Sequence, residues 1–186
     1  NKEDQLNETR NTQPAIFLCS IALFKVIKLQ GFEPNAFIGH SLGELSALCC
    51  AGVIDFNDAF QIVLKRAELM QQVSDQQPGT MLAVLIDAEA TKRLLDLSGI
   101  ENVFIANKNS KEQTVVSGSI DGIQRFSQFL NKAMITYSKI NVKTAFHSPY
   151  FKEVSATLQQ FLEQINCREE NAVKVFSNVT GQYYPA

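Results

Sequence analysis

The tightest constraint in the sequence is a single short turn. An apolar strand, Ala36-Phe37-Ile38, runs without a spacer into Gly39-His40-Ser41-Leu42-Gly43-Glu44, and a helix is expected over residues 43–51, stopped by Gly52. Strand, glycine-flanked turn and helix together are the setting of a serine nucleophile on a sharp elbow. Each glycine is expected to remove a side chain that would clash at the turn, lifting Ser41 to the helix N-terminus. Backbone N–H groups and the helix dipole favour an anion there. The N–H of Leu42, directly after the nucleophile, is the first expected oxyanion-hole donor.

Changes of hydrophobic period organise the rest of the chain. Residues 14–29 read as a helix that is apolar on most faces, the pattern of a helix packed inside a larger body. A longer helix, capped by Asp55 or Asn57, is expected to reach residue 74. Pro78-Gly79 then breaks the rhythm. Strands at 81–86, 103–106, 114–117 and 135–140, with helices at 88–97 and 120–132, give the order βαββαβ, a split ferredoxin-like unit complete in about sixty residues. The expected fold class is therefore α/β, with a ferredoxin-like subdomain at 78–141 inserted into a core formed by 1–77 and 142–186. The core resumes with a loop holding His147-Ser148-Pro149. A helix burying Val154, Leu158, Phe161, Leu162 and Ile165 follows, then a strand at 174–176.

Composition narrows the class of function. With 45% hydrophobic residues, 19% charged residues and a net charge of −2, the chain can bury a core but offers no basic groove for nucleic acid and no polybasic membrane patch. The longest apolar run, residues 15–24 interrupted by Ser20, is too short to span a bilayer. Residues 1–13 lack a signal-peptide layout, so a cytoplasmic location is expected. Cys19, Cys49, Cys50 and Cys167 fall at no metal-ligand spacing and read as small buried residues in a reducing cytosol, so neither a metal nor a bound cofactor is expected. Starting without Met and stopping in mid-loop, the sequence reads as a fragment or an excised domain.

A serine hydroxyl needs a base to attack an ester or thioester near neutral pH. His40 and His147 are the two candidates. His40 is adjacent to Ser41, so its side chain should diverge as the backbone turns, which suits a packing or loop-fixing role. His147 arrives from a separate element and is the expected base. No carboxylate announces itself as the third member; Glu44 is expected to hold the turn together, leaving a backbone carbonyl, an amide or another group to orient the base. Arg66 lies in the helical row of Ile62, Leu69, Met70 and Val73, and no carboxylate stands three or four residues away. A guanidinium facing apolar surroundings needs an anion from elsewhere. Either a salt bridge across the core or a bidentate clamp on a substrate carboxylate meets that need.

Taken jointly, Gly39-His40-Ser41-Leu42-Gly43-Glu44, Arg66 and Ala145-Phe146-His147-Ser148 resemble the malonyl-CoA:acyl carrier protein transacylases, a group that includes the acyltransferases of polyketide synthases. The likeness runs from Thr12-Gln13-Pro14-Ala15 through Ala51-Gly52-Val53-Ile54-Asp55 and Val115-Val116-Ser117-Gly118 to Ser177-Asn178-Val179-Thr180-Gly181. The resemblance implies a hydrolase-like parallel-sheet core with the inserted subdomain. It also implies ping-pong transfer of a malonyl group from CoA to the phosphopantetheine thiol of an acyl carrier protein, in fatty-acid or polyketide assembly. Ser41 would carry the acyl group, His147 would serve as base and then acid, and Arg66 would hold the malonyl carboxylate, with His40 and Phe146 also on the substrate side. Thr144-Ala145-Phe146-His147 is similar to the malonyl-selective version, in which a Phe crowds the space of an α-methyl; Thr144 departs from the His usual in polyketide enzymes. The family's further oxyanion glutamine lies upstream of this sequence, and the residue orienting its histidine lies downstream. The implied partners are malonyl-CoA and the carrier protein, for a monomer or part of a larger multidomain chain. A hydrolase of the same fold and a non-catalytic carrier-docking fragment are the alternatives.

Overall fold

The computed structural model of the chain describes residues 5–168 and 173–184. Helix α1 (Thr9–Leu29) starts earlier than residue 14, because the N–H groups of Asn11 and Thr12 both donate to the Glu8 carbonyl at 2.9 Å and add a polar turn ahead of Pro14. Its buried positions, Thr9, Gln13, Phe17 and Ile21, recur every fourth residue, which is one stripe of a helix. Ile16, Leu23, Val26, Ile27 and Leu29 are exposed. Burial on most faces is thus not what the helix shows; a single face is covered. At 21 residues, with a mean hydropathy of 1.5 over its most apolar 18, α1 is also long and apolar enough to cross a membrane by length and composition, which counting the unbroken apolar run overlooks.

Strand β1 (Ala36–Phe37) pairs in parallel with β6 (Lys174–Val175), Ala36 opposite Lys174 and Phe37 opposite Val175. Helix α2 (Leu42–Cys50) leaves β1 through the Ser41 turn, and α3 (Phe56–Gln76) follows, its start held by the Asn57 N–H donating to Asp55 Oδ1 at 2.8 Å. Phe17 and Ile21 of α1, Leu42 of α2 and Ile54, Ala59, Ile62 and Val63 form one core, so the elbow helix is anchored from its first residue.

The remaining elements run β2 (Gly79–Val84), α4 (Ala88–Ser98), β3 (Val103–Ser110), β4 (Gln113–Ser119), α5 (Ile120–Lys132) and β5 (Tyr137–Ile140). Their strands form an antiparallel sheet in the order β3-β4-β2-β5. Period-two alternation decides its faces. Leu82 and Val84 point into a core with Leu95, Val103, Val116, Ile123, Phe126 and Leu130, where α4 and α5 pack. Met81 and Ala83 point the other way, against Val115 and partly buried Phe146.

By contacts the chain divides into two compact units. One holds the described residues up to Gln71 and from Ala156 onward; the other is Gln72–Ser155, wider than the segment 78–141 marked by the change of period. Helix α6 (Lys152–Leu162) differs from expectation: none of its residues is fully buried, and Leu162 is exposed. Phe161 and Ile165 pack partly buried on the core of α1 to α3, and Ile165 lies beyond the helix end. The cysteines are free thiols but not uniformly buried, since Cys19 and Cys167 are exposed and Cys49 and Cys50 half-buried. Burial pushes the Cys49 thiol up, and burial with its neighbour Cys49 pushes Cys50 up to about 11.

Candidate active site

Ser41 has φ 54° and ψ −112°, a conformation L-residues rarely adopt. The turn is closed by the Gly43 N–H donating to the His40 carbonyl at 2.9 Å and the Glu44 N–H donating to the Ser41 carbonyl at 3.1 Å. Gly39 is obligatory: a Cβ there would lie 2.0 Å from the carbonyl carbon and oxygen of Gly43. Gly43 is not, because a Cβ at that position meets open space. The expectation that both glycines relieve a clash is corrected to one. Leu42 opens α2, so its N–H belongs to the first-turn donors that have no partner within the helix. Ser41 sits at the N-cap position yet makes no side-chain cap bond, which leaves its hydroxyl for other partners.

One such partner is Arg66. Its Nη2 donates to Ser41 Oγ at 3.2 Å, and its Nη1 donates to Gln13 Oε1. Gln13, buried at 6% exposure, in turn turns its Nε2 toward Met70 Sδ at 3.4 Å. Burial lowers the Arg66 pKa, yet a guanidinium stays charged in proteins. Among the described residues Arg66 has no carboxylate within ion-pair distance; a hydroxyl and a carboxamide, both neutral, hold it instead. Among the described residues, then, no cross-core salt bridge occupies this cation. Gln13 is the member of the site that residue-by-residue reading missed. A lone glutamine has no chemical signature, and its position four residues before Phe17 on the buried stripe of α1 was the available signal.

His40 is exposed, and its carbonyl, not its ring, closes the turn. His147 is exposed with φ 59°, in the loop between β5 and the short 3-10 turn Pro149–Phe151. That loop is well fastened within its own unit. Ala145 is fully buried, and Gly79 comes so close that a Cβ there would lie 2.7 Å from Ala145 Cβ. Ser148 accepts from the Tyr150 N–H at 3.4 Å and donates its own N–H to Ala145 at 3.3 Å. Phe146 stacks on Phe151 with centroids 6.0 Å apart. Ser41, Leu42, His40 and Arg66 thus belong to one compact unit, where Ser41 and Arg66 meet; His147 and Phe146 belong to the other.

Known proteins resemble this chain along nearly its whole length. Residues 1–182 match the acyl transferase domain family. The malonyl CoA-acyl carrier protein transacylase of Synechocystis is 35% identical, over 95% of this chain and 58% of its own length. That of Bacillus subtilis is also 35% identical, over 95% of this chain and 57% of its own. The transacylase of Burkholderia pseudomallei superposes with a TM-score of 0.87 at 34% identity, covering 98% of this chain and 62% of that one. A malonyl-transacylase solved in complex with a type II polyketide synthase acyl-carrier protein gives 0.90 at 31% identity, covering 99% and 60%. The chain spans about 60% of the length of these relatives. With a serine on a left-handed elbow, an arginine on its hydroxyl and this breadth of likeness, the chain belongs to the acyl transferase domain family.

Proposed function

We propose that the chain carries the nucleophile of a malonyl-CoA:acyl carrier protein acyltransferase. The observation that carries this reading is the partly buried Arg66 guanidinium donating to Ser41 Oγ at 3.2 Å, with no carboxylate within ion-pair distance among the described residues. A cation so placed is a receptor for the free carboxylate of a malonyl thioester whose other carbonyl lies at the serine. Ser41 Oγ attacks that carbonyl carbon and His147 takes the hydroxyl proton. The Leu42 N–H donates to the developing oxyanion, the C–S bond breaks, and the proton passes to the departing CoA sulfur. The phosphopantetheine thiol of the carrier protein then attacks the malonyl ester with His147 as base, and Ser41 is regenerated. Phe146 shapes the space beside the malonyl α-carbon, and His40 borders the substrate while its carbonyl closes the turn.

In this reading β2 to β5 with α4 and α5 are a ferredoxin-like subdomain, residues 78–141, inserted into a hydrolase-like core of 1–77 and 142–186. The strand order β3-β4-β2-β5 supports it. The site needs no bound cofactor, and the partners are malonyl-CoA and the carrier protein, with neither nucleic acid nor a membrane. Four free thiols suit the reducing cytoplasm. The test is to incubate the full-length protein with malonyl-CoA and weigh it intact. A malonyl adduct that disappears in Ser41→Ala is the expected result; no adduct overturns the reading. Arg66→Ala is expected to lose malonyl transfer while keeping or gaining activity on acetyl thioesters, and an unchanged malonyl preference would sink the clamp.

A further inference from the structure

The elbow is strained, and strained backbone persists only where its surroundings over-determine it. Two hydrogen bonds inside the turn do part of this. The rest comes from a distant stretch of chain. The backbone N–H of Asn178 donates to Glu44 Oε1 at 2.8 Å, and the Tyr184 hydroxyl donates to the same oxygen at 3.1 Å. The Asn178 side-chain Nδ2 donates to the Gly39 carbonyl. Ser41 is thus bracketed: the residue two before it and the residue three after it are both tied to residues 178–184.

That strap is itself a closed structure. Phe176 and Tyr183 form an antiparallel bridge and an edge-on aromatic pair with centroids 4.5 Å apart. The Ser177 N–H donates to the Gln182 carbonyl at 2.8 Å, and the Gly181 N–H donates to the Ser177 carbonyl at 2.9 Å. The Tyr184 N–H donates to the Val175 carbonyl at 2.9 Å, which fastens the strap to β6, the strand paired with β1. Both the strand entering the elbow and the helix leaving it are therefore tied to one hydrogen-bonded loop.

We infer that Glu44, Asn178 and Tyr184 are positioning residues that hold Ser41 in its reactive conformation, with Glu44 as the hinge pin of a strap formed by residues 176–184. The inference rests on the reading of Ser41 as the acylated residue. Glu44 Oε1 accepts both of these hydrogen bonds, and its carboxylate stands in the first turn of the elbow helix, the end at which the helix dipole favours a negative charge. Losing the strap frees the elbow to relax toward an ordinary helix start, and misplacement of a nucleophile by an ångström is enough to cut rates by about 100-fold.

Rapid-quench measurement of Ser41 acylation by malonyl-CoA, in the full chain and per titrated active site, tests this. Glu44→Ala and Asn178→Ala are expected to lower the acylation rate at saturation by about 10- to 100-fold while the half-saturating concentration moves by less than about threefold. Glu44→Gln keeps an acceptor oxygen and is expected to restore most of the rate. A role in stability alone would lower the melting temperature and the active fraction but not the rate per active site. Unchanged rates per active site in the alanine variants overturn the inference. Should those variants fail to fold, Tyr184→Phe decides, since it removes one hydroxyl; an unchanged rate there overturns it equally. Acylation that persists in Ser41→Ala instead refutes the nucleophile reading beneath it.

Discussion

Ser119 and Ser41 occupy the same position, one residue before a helix, and are used in opposite ways. Ser119 has φ −60° and ψ 152°, and its Oγ accepts from the Gly122 N–H at 3.0 Å, so that α5 begins with a satisfied donor. Ser41 has φ 54° and ψ −112°, caps nothing, and receives a hydrogen bond from Arg66 instead. Residue type and helical position are shared; backbone conformation differs. Extended backbone folds the hydroxyl onto the first turn, where it contributes about 1 kcal/mol. Left-handed backbone turns the hydroxyl away at a strain of about 1–3 kcal/mol, and an oxygen that stabilises no helix is one that can react. The helix before it in the same unit starts in the first pattern too: Asp87 caps α4 through the Ala90 N–H at 2.8 Å, and Gly99 ends it in the left-handed region.

The contrast can be broken at either serine. The largest effect is expected from Gly39→Ala. Its Cβ would fall 2.0 Å from Gly43, forcing the elbow open, and acylation of Ser41 should drop by about 100-fold or more. A wild-type rate would show that the elbow tolerates reshaping. Next comes Ser119→Ala, expected to lower the urea-unfolding free energy by about 1 kcal/mol with the acylation rate unmoved. Ser41→Ala should do the reverse: no acylation, and a stability change within about 0.5 kcal/mol, since no cap is lost. A larger stability loss would mean that the Ser41 hydroxyl contributes to the fold after all. The smallest effect is one of pH. The Ala90 N–H holds the Asp87 carboxyl below its usual range. Its folded pKa is depressed, so the stabilisation is present above the ordinary carboxylate range and is lost as pH falls through the folded value. Asp87→Asn should flatten that acid limb and leave neutral-pH stability nearly unchanged; a limb of the same slope would assign it to other carboxylates.

The same contrast explains what could be read from the sequence. Helix α5 spans residues 120–132 as expected because its cap, its amphipathic period and its end are all local. Strand β3 runs on to Ser110, well past residue 106, because its polar end, Asn107 to Ser110, is carried by pairing with β4 across two irregular registers rather than by hydrophobicity. In α6 the apolar spacing was real, but packing partners reach Phe161 and not Leu162, and period alone does not say how far a core extends. At the site, Ser41 and Arg66 were legible because their chemistry is unusual in an apolar setting. Gln13, Asn178 and Tyr184 were not legible as partners, since their contribution lies in contacts 25 residues or more from the elbow in sequence, set only by tertiary structure.

One consequence follows from the way Arg66 is seated. Folding has already withdrawn much of its guanidinium from solvent, and its hydrogen-bond partners Gln13 and Ser41 are neutral, so part of the electrostatic work of desolvating the cation is done in advance of any anion. Selectivity and robustness are therefore set against each other at one side chain. An apolar residue of similar bulk at position 66 would fill the same space without a buried charge, making the chain sturdier and, on the proposed function, indifferent to a substrate carboxylate.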